Sequence, residues 1–330
     1  MKQIVRNAKI IGTGMCVPET VLTNAELASR LQTTDEWIRQ NLGIKERRIS
    51  SAEQATSDLA AQAALDAIED AGLKVADIEL IILATATPDR LAPSTAAIVH
   101  DKIGAVNAAA FDISAVCSGF LFAMSVASQY IASGVYNNVL VIGADTFSKI
   151  TDWTRRDAVF FGDGAGAAIL SAACEQTGFL AYRLYTDGKG KFEFTIPGGG
   201  SESPTNHNTL EQNLHTFRMN GRAVYETATE VLPKAIWQVL EDAGMTIENI
   251  DLLIPHQPSV RILQKTAELI NLPFEKVMTN MDRYANTSGA TIPIILHETL
   301  KAGKIHSGST ILFAAVGSGW TYGAALIKWA

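Results

Sequence analysis

A four-residue run appears twice in this chain, and the residues after each copy limit the folds available to it. Glu69-Asp70-Ala71-Gly72 recurs as Glu241-Asp242-Ala243-Gly244, from position 69 to position 241, an offset of 172 residues. The register then continues. Leu-Lys-Val-Ala-Asp-Ile78-Glu-Leu80-Ile-Ile82 lines up with Met-Thr-Ile-Glu-Asn-Ile250-Asp-Leu252-Leu-Ile254. Both copies read as a helix that stops at glycine, a short linker and an apolar strand. Ser118-Gly119 against Ser288-Gly289 repeats with an offset of 170. Two copies of so long a period are too few for a solenoid, so the pattern points to two equivalent halves packed together, 1–175 and 176–330.

Each half mixes the two hydrophobic periods. Strands are expected at 79–83, 138–142, 167–170, 252–254 and 310–315, and helices at 58–70, 118–133, 224–242, 260–270 and 292–302. This alternation predicts an α/β fold in which helices cover sheets. The stretch 187–220, with Pro197-Gly-Gly-Gly-Ser201 and scattered polar residues, reads as a loop or lid.

Of the 330 residues, 47% are hydrophobic and 18% charged, with a net charge of −7, an ordinary globular composition. The mild acidity argues against general nucleic-acid binding, although residues 45–48 and Arg155-Arg156 form local basic patches. Three cysteines, Cys16, Cys117 and Cys174, are too few for a disulfide scaffold, and a reducing cytoplasm is the expected compartment. The opening MKQIVRNAKIIGTG lacks an apolar core of signal-peptide length, and no apolar run is long enough to span a membrane.

The residue with the clearest chemical promise is Cys117, in Ala-Val-Cys117-Ser-Gly-Phe. It precedes the apolar helix expected over 118–133, where unpaired N–H groups and the helix dipole favour an anion and so lower a thiol pKa. A thiolate there is a nucleophile. By the repeat register, His256 in Ile-Pro-His256-Gln-Pro-Ser lies just past a strand end, where ligands bind in open α/β sheets. Asn286, in Tyr-Ala-Asn286-Thr-Ser-Gly, stands before a second helix in the place that echoes Cys117, and it also suits a helix cap. Ala315-Val-Gly317-Ser318-Gly319-Trp320 is a turn after a strand, able to present N–H groups to an oxyanion. Gly162-Asp163-Gly164-Ala-Gly166 lacks the lysine and the spacing of a nucleotide loop and reads as a structural turn.

Taken together, Ala-Val-Cys-Ser-Gly-Phe, Pro-His-Gln, Asn-Thr-Ser and Gly-Xaa-Gly-Trp resemble the thiolase-like condensing enzymes, and most closely the β-ketoacyl-acyl-carrier-protein synthase III family. The resemblance extends from Ile10-Ile-Gly-Thr-Gly through Thr34-Asp-Glu-Trp-Ile and Gly43-Ile-Lys-Glu-Arg to Tyr322-Gly-Ala-Ala-Leu. It implies a thiolase-like fold with a five-layered α-β-α-β-α core. It also implies a half at 1–175 carrying the nucleophile and a half at 176–330 carrying His and Asn. Cys117, His256 and Asn286 would be catalytic, and the backbone N–H groups of Cys117 and Ser318 would form the oxyanion hole. Trp37, Arg155 and Arg261 match coenzyme A contacts, and Ala92 and Val316 match positions around the acyl pocket. The implied substrates are acyl-CoA and a malonyl thioester on acyl carrier protein or on CoA, with no cofactor and no metal. The implied assembly is a homodimer in which Ala92 reaches the neighbour's pocket.

Several positions depart from the family pattern. The usual His-Gln-Ala-Asn is His256-Gln257-Pro258-Ser259, a family arginine is Asn41, and a family lysine is Glu226, with Arg222 nearby as a substitute cation. Small residues at Ala92 and Val316 imply a pocket that takes primers larger than acetyl. No second cysteine stands near Gly317-Ser-Gly, as a reversible thiolase needs, and the 84–89 segment offers Asp89 but no glutamate base for a hydroxymethylglutaryl-type synthase. The rival reading is an acyltransferase that moves the acyl group from Cys117 to a hydroxyl or amine without decarboxylation.

Overall fold

The computed structural model describes residues 7–173 and 177–330, so Cys174 and the 175/176 boundary lie outside the described residues. Both copies of the repeated segment fold alike. Helices Thr56–Asp70 and Gly221–Asp242 are followed by Gly72 and Gly244, at φ of +68° and +61°, values that glycine adopts without a steric penalty. Short 3₁₀ turns at Val75–Asp77 and Ile247–Asn249 then lead into strands Leu80–Ala84 and Leu252–Pro255.

Each of those strands belongs to a different sheet. One sheet has five strands in the order Asn7–Cys16, Gly164–Ala173, Asn138–Asp145, Leu80–Ala84 and Ala109–Ile113. The last three are mutually parallel, and the first two pair antiparallel. The other sheet has four strands in the order Leu252–Pro255, Thr310–Gly317, Thr321–Lys328 and Gly178–Thr186. Its first pair is parallel and the remainder antiparallel.

The fold has five layers, α-β-α-β-α. The middle layer is the pair of helices Gly119–Ala132 and Thr291–Lys301, each of which follows one copy of the Ser-Gly echo. Their side chains join the facing sides of both sheets in one buried cluster, in which Phe120, Met124 and Ile292 meet Ile82, Val141, Ile254 and Phe313. Thr56–Asp70 and Thr95–Ile103 cover the outer face of the larger sheet, and Gly221–Asp242 and Val260–Leu269 cover that of the smaller. The Gly119–Ala132 helix is buried nearly all round, consistent with its apolar sequence and lack of internal charge.

Where the middle layer meets the larger sheet, backbones touch. A Cβ placed on Gly143 would lie 2.1 Å from the carbonyl oxygen of Gly289. That contact seats the Ser288–Ala290 turn directly on the strand Asn138–Asp145. The 187–220 stretch is more anchored than a surface loop. Its ends pair as strands Phe194–Thr195 and Arg218–Met219, and Phe194 and Phe217 stack 5.6 Å apart in a buried aromatic group with Phe147 and Phe161. Gly143→Ala should destabilise the protein by about 1–3 kcal/mol through overpacking, read as a lower urea midpoint with an unchanged m-value.

Candidate active site

The two middle helices start at the same end of the molecule, and the C-terminal ends of Leu252–Pro255 and Thr310–Gly317 open there as well. Cys117 lies in the 3₁₀ turn Val116–Ser118 that leads into Gly119–Ala132. Val116 holds φ at +46°, a left-handed value that costs a β-branched residue energy, so the surrounding contacts must impose it. Those contacts come from the other half. A Cβ on Gly317 would lie 2.9 Å from the Cys117 backbone nitrogen, and the Thr321 hydroxyl donates to the Ala115 carbonyl at 3.0 Å. The Ser118 hydroxyl lies 2.7 Å from that of Thr321.

His256 follows the strand Leu252–Pro255 and is fixed by its backbone N–H, which donates to Ala314 at 2.8 Å. Asn286 is fixed by backbone bonds to the segment before the Gly164–Ala173 strand: its N–H donates to Phe160 and its carbonyl accepts from Gly162, both at 3.1 Å. Its side-chain oxygen accepts from the Ser288 N–H at 2.8 Å, which both caps the next turn and leaves the amide N–H₂ as its remaining polar group.

Cys117, His256 and Asn286 line one cavity of about 270 Å³, together with Trp37, Arg261, Val316 and Ser318. The Ser318 hydroxyl is held on the cavity wall, where it donates to the Phe194 carbonyl at 2.6 Å. Trp37 also borders an adjoining cavity of about 480 Å³ that holds Arg155 and Arg156. There Arg155 is engaged bidentately by Asp157, whereas Arg156 places its guanidinium 4.2 Å from the Trp37 ring. The stacking cation is therefore Arg156, which the sequence offered only as part of a basic patch. Ala92 lines neither cavity and is exposed. The Asn41 amide donates to the Trp37 carbonyl, and Glu226 pairs with Arg222 at 2.8 Å, so that arginine does not stand as a free cation.

Two further residues carry the site and were not singled out in the sequence. Asp145, fully buried at the end of its strand, accepts on one oxygen from the Ala86 N–H (2.7 Å), the Thr87 N–H (3.1 Å) and the hydroxyls of Thr85 and Thr87 (both 3.0 Å). Its other oxygen accepts from the Gly289 N–H at 2.9 Å. Ser288 stands between this carboxylate and the Cys117 thiol, with its hydroxyl 3.6 Å from Sγ. The signal for Asp145 was a lone acid closing the apolar strand Asn138–Asp145, the pattern of a buried, satisfied carboxylate. Asp163, by contrast, holds Ser50 and Ser148 through four hydrogen bonds, so the Gly162-Asp163-Gly164 motif acts as a turn.

The electrostatics correct the expectation for Cys117. Burial pushes its thiol up to about 12, with the Asp145 carboxylate adding to the rise and the Ser288 hydroxyl opposing it. Burial likewise drives His256 down to about 3. The resting pair is thus a neutral thiol and a neutral imidazole. The unfolded histidine takes a proton below its ordinary value of 6.5 while the folded one does not until about 3. Stability is therefore lost as pH falls through that window. Urea midpoints measured from pH 7 to pH 4 should fall less steeply for His256→Gln than for the parent.

The comparisons with known proteins agree over nearly the whole length. Residues 111–188 match the family model described as 3-oxoacyl-[acyl-carrier-protein (ACP)] synthase III, and residues 240–329 match that of its C-terminal part. Beta-ketoacyl-[acyl-carrier-protein] synthase III of Caldanaerobacter subterraneus subsp. tengcongensis is 48% identical, covering 98% of each chain. The enzyme of the same name from Clostridioides difficile is 47% identical, again over 98% of both. The crystal structure of 3-oxoacyl-[acyl-carrier-protein] synthase III from Aquifex aeolicus superposes with a TM-score of 0.90 at 42% identity, covering 98% of this chain and 100% of that one. A chain that shares this fold over its full length, and nearly half its residues with such relatives, belongs to the β-ketoacyl-acyl-carrier-protein synthase III family of condensing enzymes.

Proposed function

We propose that this chain joins an acyl group from acyl-CoA to a malonyl thioester by decarboxylative Claisen condensation, with Cys117 as nucleophile and His256 and Asn286 as its partners. The observation that carries this reading is the convergence of those three side chains and the Ser318 turn on one cavity.

Each step draws on the groups present. Cys117 attacks the thioester carbonyl, its proton passes to His256 and then to the departing CoA sulfur, and an acyl-cysteine and free CoA thiol result. Because both groups rest neutral, no buried charge precedes substrate. The tetrahedral oxyanion is held by the backbone N–H groups of Cys117 and Ser318. A malonyl thioester then enters. Its carboxylate leaves as CO₂, and the enolate oxygen is met by His256 Nε2–H and the Asn286 amide. The α-carbon of the enolate attacks the acyl-cysteine, the C–S bond breaks, and the released Cys117 thiolate takes up one proton from solvent, which the overall condensation consumes. Apart from that one proton, every atom that changes partner belongs to the two substrates and Cys117, so the reading requires neither a metal nor another cofactor.

Acyl-CoA would enter past Trp37, with Arg261 on the rim and Arg156 in the adjoining cavity as phosphate partners, because Asp157 already engages Arg155. Malonyl-acyl carrier protein is the extender, as the relatives' names suggest, although the Arg222–Glu226 pair leaves one of its expected docking cations neutralised. Val316 on the cavity wall supports a primer larger than acetyl. A homodimer is supported by the open edge strand Ala109–Ile113 and by the exposed 91–93 segment, where Leu91 is 90% accessible in the single chain.

Intact mass measurement with a set of acyl-CoA donors tests the whole scheme. The acyl adduct should form on Cys117, be absent in Cys117→Ala, and disappear when malonyl thioester is added, with release of CO₂ and a β-keto product. An adduct that malonyl leaves untouched would instead mark the plain acyltransferase. Asn286→Ala should keep the adduct but slow condensation by about 10²–10³-fold, the usual cost of one oxyanion donor. Octanoyl-CoA should acylate at least as fast as acetyl-CoA, and a strong acetyl preference would contradict the larger pocket.

A further inference from the structure

Ser288 is fully buried, and its hydroxyl lies between two groups that make different demands on it. On one side the Cys117 thiol donates to Ser288 Oγ at 3.6 Å. On the other, Asp145 accepts the hydroxyl proton of Ser288 in addition to its five other donors. A hydroxyl carries one proton and two lone pairs, so it can accept from a neutral thiol while donating to the acid. A thiolate has no proton to give. It competes for the hydroxyl proton instead, and a charged acceptor makes the stronger bond. Asp145 can release that proton without being left bare, because the N–H groups of Ala86, Thr87 and Gly289 and the hydroxyls of Thr85 and Thr87 remain on it. Rotation about the Cβ–Oγ bond moves nothing else. The backbone of Ser288 has its own task, since its N–H donates to Asn286 Oδ1 at 2.8 Å.

We propose that Ser288 is a catalytic residue for acyl transfer, its hydroxyl turning from Asp145 to Cys117 Sγ when the thiol gives up its proton, a role that rests on the acylation proposed for this site. No covalent bond forms or breaks at Ser288, and its proton stays on Oγ throughout. The thiol proton still passes to His256 and on to the CoA sulfur. The hydroxyl meets the negative sulfur during attack on acyl-CoA. It does so again when the C–S bond breaks at the end of condensation, until the solvent proton arrives. Burial makes a thiolate costly at this depth, and a donor already in place lowers that cost without reorganisation. Among the described residues, Ser288 is the one side chain in hydrogen-bond contact with Sγ.

Two variants remove the hydroxyl and treat the backbone differently. Ser288→Ala keeps a side chain at the left-handed φ of +51°, whereas Ser288→Gly relaxes it. In both, iodoacetamide at neutral pH should alkylate Cys117, located by peptide mass, about tenfold more slowly than in the parent, the lower end of what a hydrogen bond to a charged group contributes. A hydroxyl that only accepted from the thiol would, on removal, leave that rate unchanged or raise it. Either result overturns the proposal, as does a slowing confined to one variant. The infrared S–H stretch that disappears in Cys117→Ala should lie below the frequency of a free thiol in the parent and rise to it in both Ser288 variants. A parent band already at the free position also overturns the proposal. Neither measurement uses acyl-CoA or malonyl thioester, so both decide it even if no acyl adduct forms and the functional reading fails.

Discussion

The site depends on one buried carboxylate. Asp145 is fully buried, and the protein supplies it with five donors, four from residues 85–87 and one from Gly289. Those donors lie on different layers. The 85–87 segment continues the strand Leu80–Ala84, and Gly289 is the middle residue of the turn that launches Thr291–Lys301. A buried acid left without such partners would be strongly destabilising, so its satisfaction fixes the Asn286–Ser288 turn against the half that carries Cys117. The close approach of Gly143 to Gly289 makes that geometry possible, because no side chain separates the two backbones.

Burial that secures the scaffold also sets the chemistry. Cys117 and His256 lose water together, and each retreats to its uncharged form. Left-handed conformations at Val116 and Ser288 flank the pair, at φ of +46° and +51°. Neither residue adopts these values at low cost, and both are held by packing from the opposite half. The Val116–Ser118 turn is therefore shaped by residues more than 170 positions away in sequence, chiefly Gly317, Ser288 and Thr321.

Much of this was legible in the residues themselves. The repeated Glu-Asp-Ala-Gly marked matching helix–turn–strand units, and the apolar run after Cys117 marked a helix buried on all sides, because local periodicity records burial directly. Cys117, His256 and Asn286 each stood at the end of such an element. Asp145 and Arg156 were harder to find. The first looks like any strand-terminal acid until its donors are seen. The second differs from Arg155 only in which neighbour claims it: Asp157 takes one arginine and Trp37 the other. The Cys117 thiol was misjudged for a related reason. A helix terminus can be read from sequence, whereas the depth of the cavity around it arises only when the halves close.

Ser318 joins two tasks through a single hydroxyl. Its backbone borders the reaction cavity, and its side chain is bonded to the Phe194 carbonyl, in the segment whose aromatic rings form the cavity wall. A guest that presses on Phe194 therefore also pulls on Ser318, whose amide the proposed mechanism sets against the reacting carbonyl. In such an arrangement the fit of the primer is felt in the speed of bond making as well as in the strength of its grip.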